Sequence, residues 1–138
     1  MKIFAAIVLV IGISLSQTLQ GDEVDQAFRA ELDKHHQECL QVSKLDPQVL
    51  EKAKLGEIDE NNTALKEHIF CTCEKYGMVK DNKIQTEAIR KFAEKQNRGH
   101  FFNEVFEKCN SVNDDVKVYL IKLAKCAYQH APKGTIII

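Results

Sequence analysis

The stretch Thr63–Gly77 reads TALKEHIFCTCEKYG. At about 100° per residue, Leu65, Ile69, Cys73 and Tyr76 fall within about 80° of one another, which is one apolar stripe of an α-helix. The pattern predicts a helix over Thr63–Tyr76, stopped at Gly77. The same construction recurs on both sides. Upstream, Asp46-Pro47 offers an N-cap followed by proline at the first helical position, predicting a helix over Pro47–Leu55 that stops at Gly56. Before it, Val24, Ala27, Phe28 and Leu32 recur at helical spacing, and that helix should reach about Cys39 or Leu40. Downstream, Asp81-Asn82-Lys83 reads as a turn. A helix near Thr86–Asn97 carries Ile89, Phe92 and Ala93 and ends at Gly99. A short one, Phe101–Cys109, carries Phe101, Phe102, Val105 and Phe106. Asn113 is the expected cap of the last, Asp114–Gln129, with acids in its first turn and Pro132 beyond its end.

Composition agrees with this all-α reading. The chain has 138 residues with only 6 Gly and 2 Pro, few for the many turns of a β-sandwich. No run alternates cleanly enough to name a strand. The formal net charge is −1, which gives no field for gripping a phosphate backbone, so nucleic acid is not an expected partner. Apolar residues make 44% and charged residues 28% of the chain, which is the balance of a folded globule rather than of a disordered segment.

Residues 1–21 read MKIFAAIVLVIGISLSQTLQG. Lys2 opens the segment, and Ile3–Leu15 is an apolar run too short to span a bilayer core of ~30 Å. This is the pattern of a secretory signal peptide, with cleavage after Ser16 or Gly21, leaving 22–138 as one helical domain. The final Thr135-Ile136-Ile137-Ile138 is too short for a lipid-anchor signal. Secretion changes the meaning of the five cysteines, Cys39, Cys71, Cys73, Cys109 and Cys126. In an oxidising route they predict two bridges and one leftover thiol. Asn61-Asn62-Thr63 is a glycosylation sequon.

The chain carries few signs of chemistry. There is no phosphate-binding glycine loop, zinc-protease motif or nucleophile elbow. His68, Cys71 and Cys73 are the one constellation to weigh for metal. On a helix Cys71 and Cys73 point about 200° apart and cannot share one tetrahedral ion. No metal and no cofactor is expected. No third group orients a base for a Cys–His pair, so the chain is not expected to be an enzyme. Cys71 reads as bridged and Cys73 as a small hydrophobe on the stripe. His35, His36, His68, His100 and His130 read as solvated surface histidines able to titrate between pH 5 and 8. Glu87, Arg90, Lys91, Glu94 and Lys95 read as a solvated helix face. The rest of the signal is apolar surface. A helical globule held by bridges can keep an apolar cavity suited to an uncharged small ligand, with the isoleucine tail folding back as wall or lid.

The cysteines carry a resemblance. A leader, six short helices and this spacing resemble the insect odorant-binding proteins, the pheromone/general odorant-binding family. That family usually has six cysteines, with three residues between the second and third and eight between the fifth and sixth. Its third cysteine is followed by a Glu-Lys-aromatic-Gly-like segment and a polar turn. Cys71-Thr-Cys-Glu-Lys-Tyr-Gly77 followed by Lys80-Asp-Asn-Lys-Ile84 matches when Cys71 is the third. Cys39, Cys109 and Cys126 are then the first, fourth and sixth. Glu67 and Lys117 stand where the second and fifth belong, which is similar to the family's four-cysteine "minus-C" branch. The resemblance implies bridges Cys39–Cys71 and Cys109–Cys126, with Cys73 a free thiol; Cys73 pairing with Cys39 is the alternative. It also implies that Glu67 and Lys117 face each other across two helices.

The function implied is that of a secreted carrier of small hydrophobic, volatile or lipid-like ligands. A membrane receptor is the further partner such a carrier would serve, and the chain itself would be a monomer or a weak homodimer. The residues expected to line the pocket are Val49, Leu65, Ile69, Tyr76, Ile89, Phe92, Phe102, Phe106, Val116, Tyr119, Leu123 and Ile136, with Tyr76 and Tyr119 as donors to a ligand oxygen. The rival is a secreted protein-interaction factor (venom, salivary or seminal) on the same scaffold, its cavity filled by its own side chains.

Overall fold

The computed structural model describes residues 26–110 and 115–138. The expected leader lies outside them, as do Asn113 and Asp114. The chain divides into two units, residues 1–31 and 32–138. The described part of the first is helical over 26–31; the bridges, the core cluster and the cavity discussed below lie in the second.

Six helices are present among the described residues: α1 Gln26–Ser43, α2 Pro47–Lys54, α3 Thr63–Lys75, α4 Thr86–Glu94, α5 Gly99–Cys109 and α6 Val116–His130. The local signals act as read in most places. Asp46 Oδ1 accepts the Gln48 N–H at 2.9 Å, and Pro47 opens α2. The start of α3 has a cap that was not read from the sequence: Asn62 Oδ1 accepts the Leu65 N–H at 3.0 Å. Gly56 (φ +93°) and Gly77 (φ +72°) take the left-handed conformation that ends α2 and α3. There the next N–H reaches back five residues, Glu57 to Lys52 and Met78 to Cys73, satisfying carbonyls the helix leaves open.

Three local expectations need correction. First, α4 ends at Glu94 and Gly99 begins α5 instead of closing α4. The left-handed residue is Asn97 (φ +58°), and the Arg98 N–H bonds Ala93 O at 2.9 Å as in the glycine caps. Asparagine is one of the few residues that takes this conformation at low cost. Gly99 is small for another reason: a Cβ there would lie 2.8 Å from Glu94 Cγ. Second, α6 is capped by Asp115, whose Oδ1 accepts from Lys117 N (2.9 Å) and Val118 N (3.3 Å). The expected cap, Asn113, is outside the described residues. Third, Val79–Lys80 (β1) and Lys83–Ile84 (β2) form a small antiparallel hairpin where no strand was expected. Asp81 and Asn82 both have positive φ (52° and 58°), the turn whose twist suits a two-residue hairpin. Two residues per strand are too few to show an alternating pattern.

Packing runs in pairs: α3 on α6, α6 on α5, α5 on α4. Cys39–Cys71 ties α1 to α3 with Cα atoms 5.7 Å apart, and Cys109–Cys126 ties α5 to α6 at 5.5 Å. The dense core lies between α2, α3 and α6, with Leu50, Leu65, Ile69, Leu120 and Ile121 all at or below 3% exposure. None of α4 is fully buried, although its apolar residues share one face. That face looks onto a cavity instead of packed side chains.

Candidate functional site

Two features of the fold hold chemistry: a buried polar cluster beside the first bridge, and an apolar cavity on the far side of α3. The 200° between Cys71 and Cys73 is what separates them. Cys71 turns to the bridge with Cys39, and Cys73 turns to the cavity.

The polar cluster overturns an expectation. His36 and His68 are core residues, 4% and 0% exposed. Their rings stack within 6° of parallel, with His36 Nδ1 3.0 Å from His68 Nε2. Ser43 Oγ lies 3.4 Å from His68 Nδ1 and accepts the Leu45 N–H at 3.2 Å. Two ring nitrogens facing each other need one donor and one acceptor, so a second proton at this contact would set N–H against N–H. Burial, the first cause in each case, pushes both histidines down to about 4. For His36 the Lys54 charge adds to it, against Asp33 and the Ile138 backbone; for His68 the partner ring adds to it, against the Cys39 backbone. A signal for this was present. His68 and Thr72 flank the Leu65 stripe by about 60° and 20°, so the buried face is wider than its apolar members. Of the other histidines, His100 and His130 are exposed and His35 is half-buried.

The cavity measures about 130 Å³. Ile69 and Cys73 from α3, Ile89, Phe92 and Ala93 from α4, and Phe101, Phe102, Val105 and Phe106 from α5 form three walls. Leu120, Leu123, Ala124 and Ala127 from α6 form the fourth, and Thr135–Ile138 line it as well. The terminal segment is held by Gln96, itself 5% exposed. Its Nε2 donates to Ile136 O at 2.9 Å and its Oε1 accepts the Ile136 N–H at 2.6 Å. One amide thus pairs with the tail as a neighbouring strand would.

Seven of the expected pocket residues meet here: Ile69, Ile89, Phe92, Phe102, Phe106, Leu123 and Ile136. Five do not. Leu65 and Tyr119 belong to the dense core, and Val49 and Val116 pack against it. The α3 stripe is shared, its first half filling the core and its second half facing the cavity. Tyr119 is not a free donor, since its hydroxyl donates to Asn110 Oδ1 at 2.8 Å. Tyr76 lies in a separate groove with Lys80, Lys91 and Lys95, its ring edge-on to Phe92 at 5.4 Å. The α6 wall was readable. Leu120, Ala124, Ala127 and Ala131 share one helical face, and the alanines there leave room that larger side chains would fill. Gln96 and Arg98 gave no signal, because the turn at Asn97 decides where they point.

Cys73 is the free cysteine. Burial pushes its thiol up to about 12, so almost no thiolate exists at neutral pH. Native protein at pH 8 should resist iodoacetamide while guanidinium-unfolded, unreduced protein takes one label per chain. Intact mass would reveal rapid native labelling or a disulfide-linked dimer, and either would refute this placement. The described groups nearest to a metal-ligand cluster are Cys109, Cys126 and His130. Both sulfurs are bridged there, so neither offers a thiolate. The sequence constellation of His68, Cys71 and Cys73 does not assemble, since Cys71 is bridged too.

The class is therefore a helical, twice-bridged protein built around a small apolar cavity. A family model described as the PBP/GOBP family matches residues 21–130, and the chain belongs to that family of odorant- and pheromone-binding proteins. It is a family of binding proteins rather than enzymes, secreted and soluble. Comparison with curated proteins and with solved structures gives no match. Among the described residues no helix is long and apolar enough to cross a membrane.

Proposed function

We propose that this protein is a secreted carrier of small hydrophobic molecules, odorants or similar semiochemicals, and that the cavity between α3, α4, α5 and α6 holds them. Residues 1–21 would be the export signal and 22–138 the carrier domain. The observation that carries the reading is the cavity itself: nearly its whole lining is hydrocarbon and aromatic ring, and Arg98 is its one charged side chain. Its size sets the ligand. An engineered apolar cavity of about 150 Å³ takes up benzene, so about 130 Å³ suits a small ring or a short chain. Burying roughly 200 Å² of such a ligand is worth about 5 kcal/mol, before the cost of immobilising it. Even without that cost this corresponds to binding no tighter than the high-micromolar range, and tighter binding requires the cavity to widen around larger ligands.

The test is displacement of a neutral fluorescent hydrophobic probe from oxidised protein by a panel of volatiles, at pH 7 and pH 5. Uptake with selective displacement supports the carrier. A folded, bridged protein that takes up neither probe nor volatile at either pH would refute it and favour a protein partner.

A further inference from the structure

We propose that the cavity favours small carboxylic acids over neutral ligands of the same shape, and that Arg98 receives the carboxylate. This rests on the carrier reading and narrows its ligand class. The lining holds few polar side chains, and the others are already engaged. Gln96 spends both ends of its amide on Ile136, and Thr135 Oγ1 donates to Pro132 O at 2.6 Å. Arg98 differs. Its Nε is shut off from water and has no hydrogen-bond partner. Among the described residues no carboxylate forms an ion pair with it, including Glu94, whose Cγ packs at Gly99 next door. The neighbouring Arg90 also has a buried Nε without a hydrogen-bond partner, but it has a counter-ion, Glu87 at 3.3 Å, and lies 4.9 Å from the centre of the Phe102 ring.

A guanidinium donates from every polar atom and accepts at none, and it stays charged at any working pH. A buried N–H of this kind without an acceptor is unfavourable, and an acceptor brought in with a ligand would relieve it. A carboxylate suits it best. The bond is charge-assisted, about twice as strong as one to a neutral oxygen, and the two planar groups can meet through two parallel contacts. Position agrees with this. Arg98 immediately precedes α5, whose first turn has no side-chain cap. The N–H groups of that turn, of which Phe101 N–H is held by Arg98 O at 3.1 Å, add positive partial charge next to Arg98. At about 130 Å³ the space accommodates roughly the chain of hexanoate, its head group at Arg98.

Titration calorimetry at pH 7 with sodium hexanoate and with hexan-1-ol tests this on the oxidised full carrier. Wild type should bind hexanoate about tenfold or more tighter than hexan-1-ol. In Arg98→Met that ratio should fall to about one or below, while Arg98→Lys keeps the charge and part of the preference. Alcohol bound as tightly as acid by wild type overturns the Arg98 assignment and leaves the carrier standing. So does an Arg98→Met variant that loses both ligands in equal measure. Neither ligand bound by folded wild type overturns both readings together. The wild-type comparison alone decides the matter if the variants do not fold.

Discussion

Acidification from pH 6.5 to pH 4 should destabilise this protein steeply, through the buried His36–His68 pair. Both rings are neutral in the fold because burial holds their pKa near 4, whereas in the unfolded chain they titrate near 6.5. Between those values the unfolded state binds protons that the folded state refuses, so stability falls with pH. Above pH 6.5 the contribution is complete, and below about 4 no more is lost. One such proton costs about 1.4 kcal/mol per pH unit, so the fall to pH 5 removes about 2 kcal/mol for each histidine. Two histidines would together reach about 4 kcal/mol, a large part of the ~5–15 kcal/mol that holds a domain together. Urea unfolding followed across this range should show the loss, and His36→Gln with His68→Gln should flatten it. A double variant with the wild-type slope would show that other groups set the acid limb. Proton NMR of wild type gives a second reading, since two of the five histidines should not titrate between pH 8 and pH 5.

Glu67→Cys with Lys117→Cys should close a third bridge and raise the melting temperature. The two side chains already meet, Lys117 Nζ donating to Glu67 Oε1 at 2.6 Å, with the same ammonium 5.1 Å from the Phe70 ring centre. Both are close to two-fifths exposed, and an ion pair in that setting contributes about 0–1 kcal/mol. A disulfide across the same α3–α6 contact would shorten a long loop in the unfolded chain. The usual gain is about 2–4 kcal/mol, or roughly 10 °C for a domain of this size. The expected product has one free thiol by titration, Cys73, as in wild type. Three free thiols in a folded double variant would mean that the helices do not bring these positions within bridging distance. The odorant-binding resemblance puts the second and fifth cysteines of that family at these two positions, and the contact between Glu67 and Lys117 is what that register requires.

Much of the fold was legible because it is local. Asp46-Pro47, Gly56 and Gly77 act within one turn of their own position, and a stripe at helical spacing needs only its own helix. The bridges followed from the family register, which compresses long-range contacts into spacing. Residues 79–84 and 97–99 were less legible, since there a short turn outweighs periodicity and an asparagine does what glycine was expected to do.

The site divides along the same line. That Ile69, Phe92, Phe102 and Leu123 are apolar and face inward is a property of their own helices, and the pattern of residues along the chain is enough to establish it. Whether an inward face meets another side chain or empty space depends on the partner helix. Leu65 and Ile69 share one stripe, yet Leu65 is packed against α6 while Ile69 also borders the cavity. That difference arises in tertiary packing alone, and so does the polar interior. A histidine reads as surface until a second one arrives, from a residue 32 positions away, to make burial tolerable for both. Arg98 carries no signal in the sequence, and the turn before α5 brings it to the edge of an apolar cavity. Periodicity reports which side of a helix avoids water; what that side meets is settled by packing between helices distant in sequence.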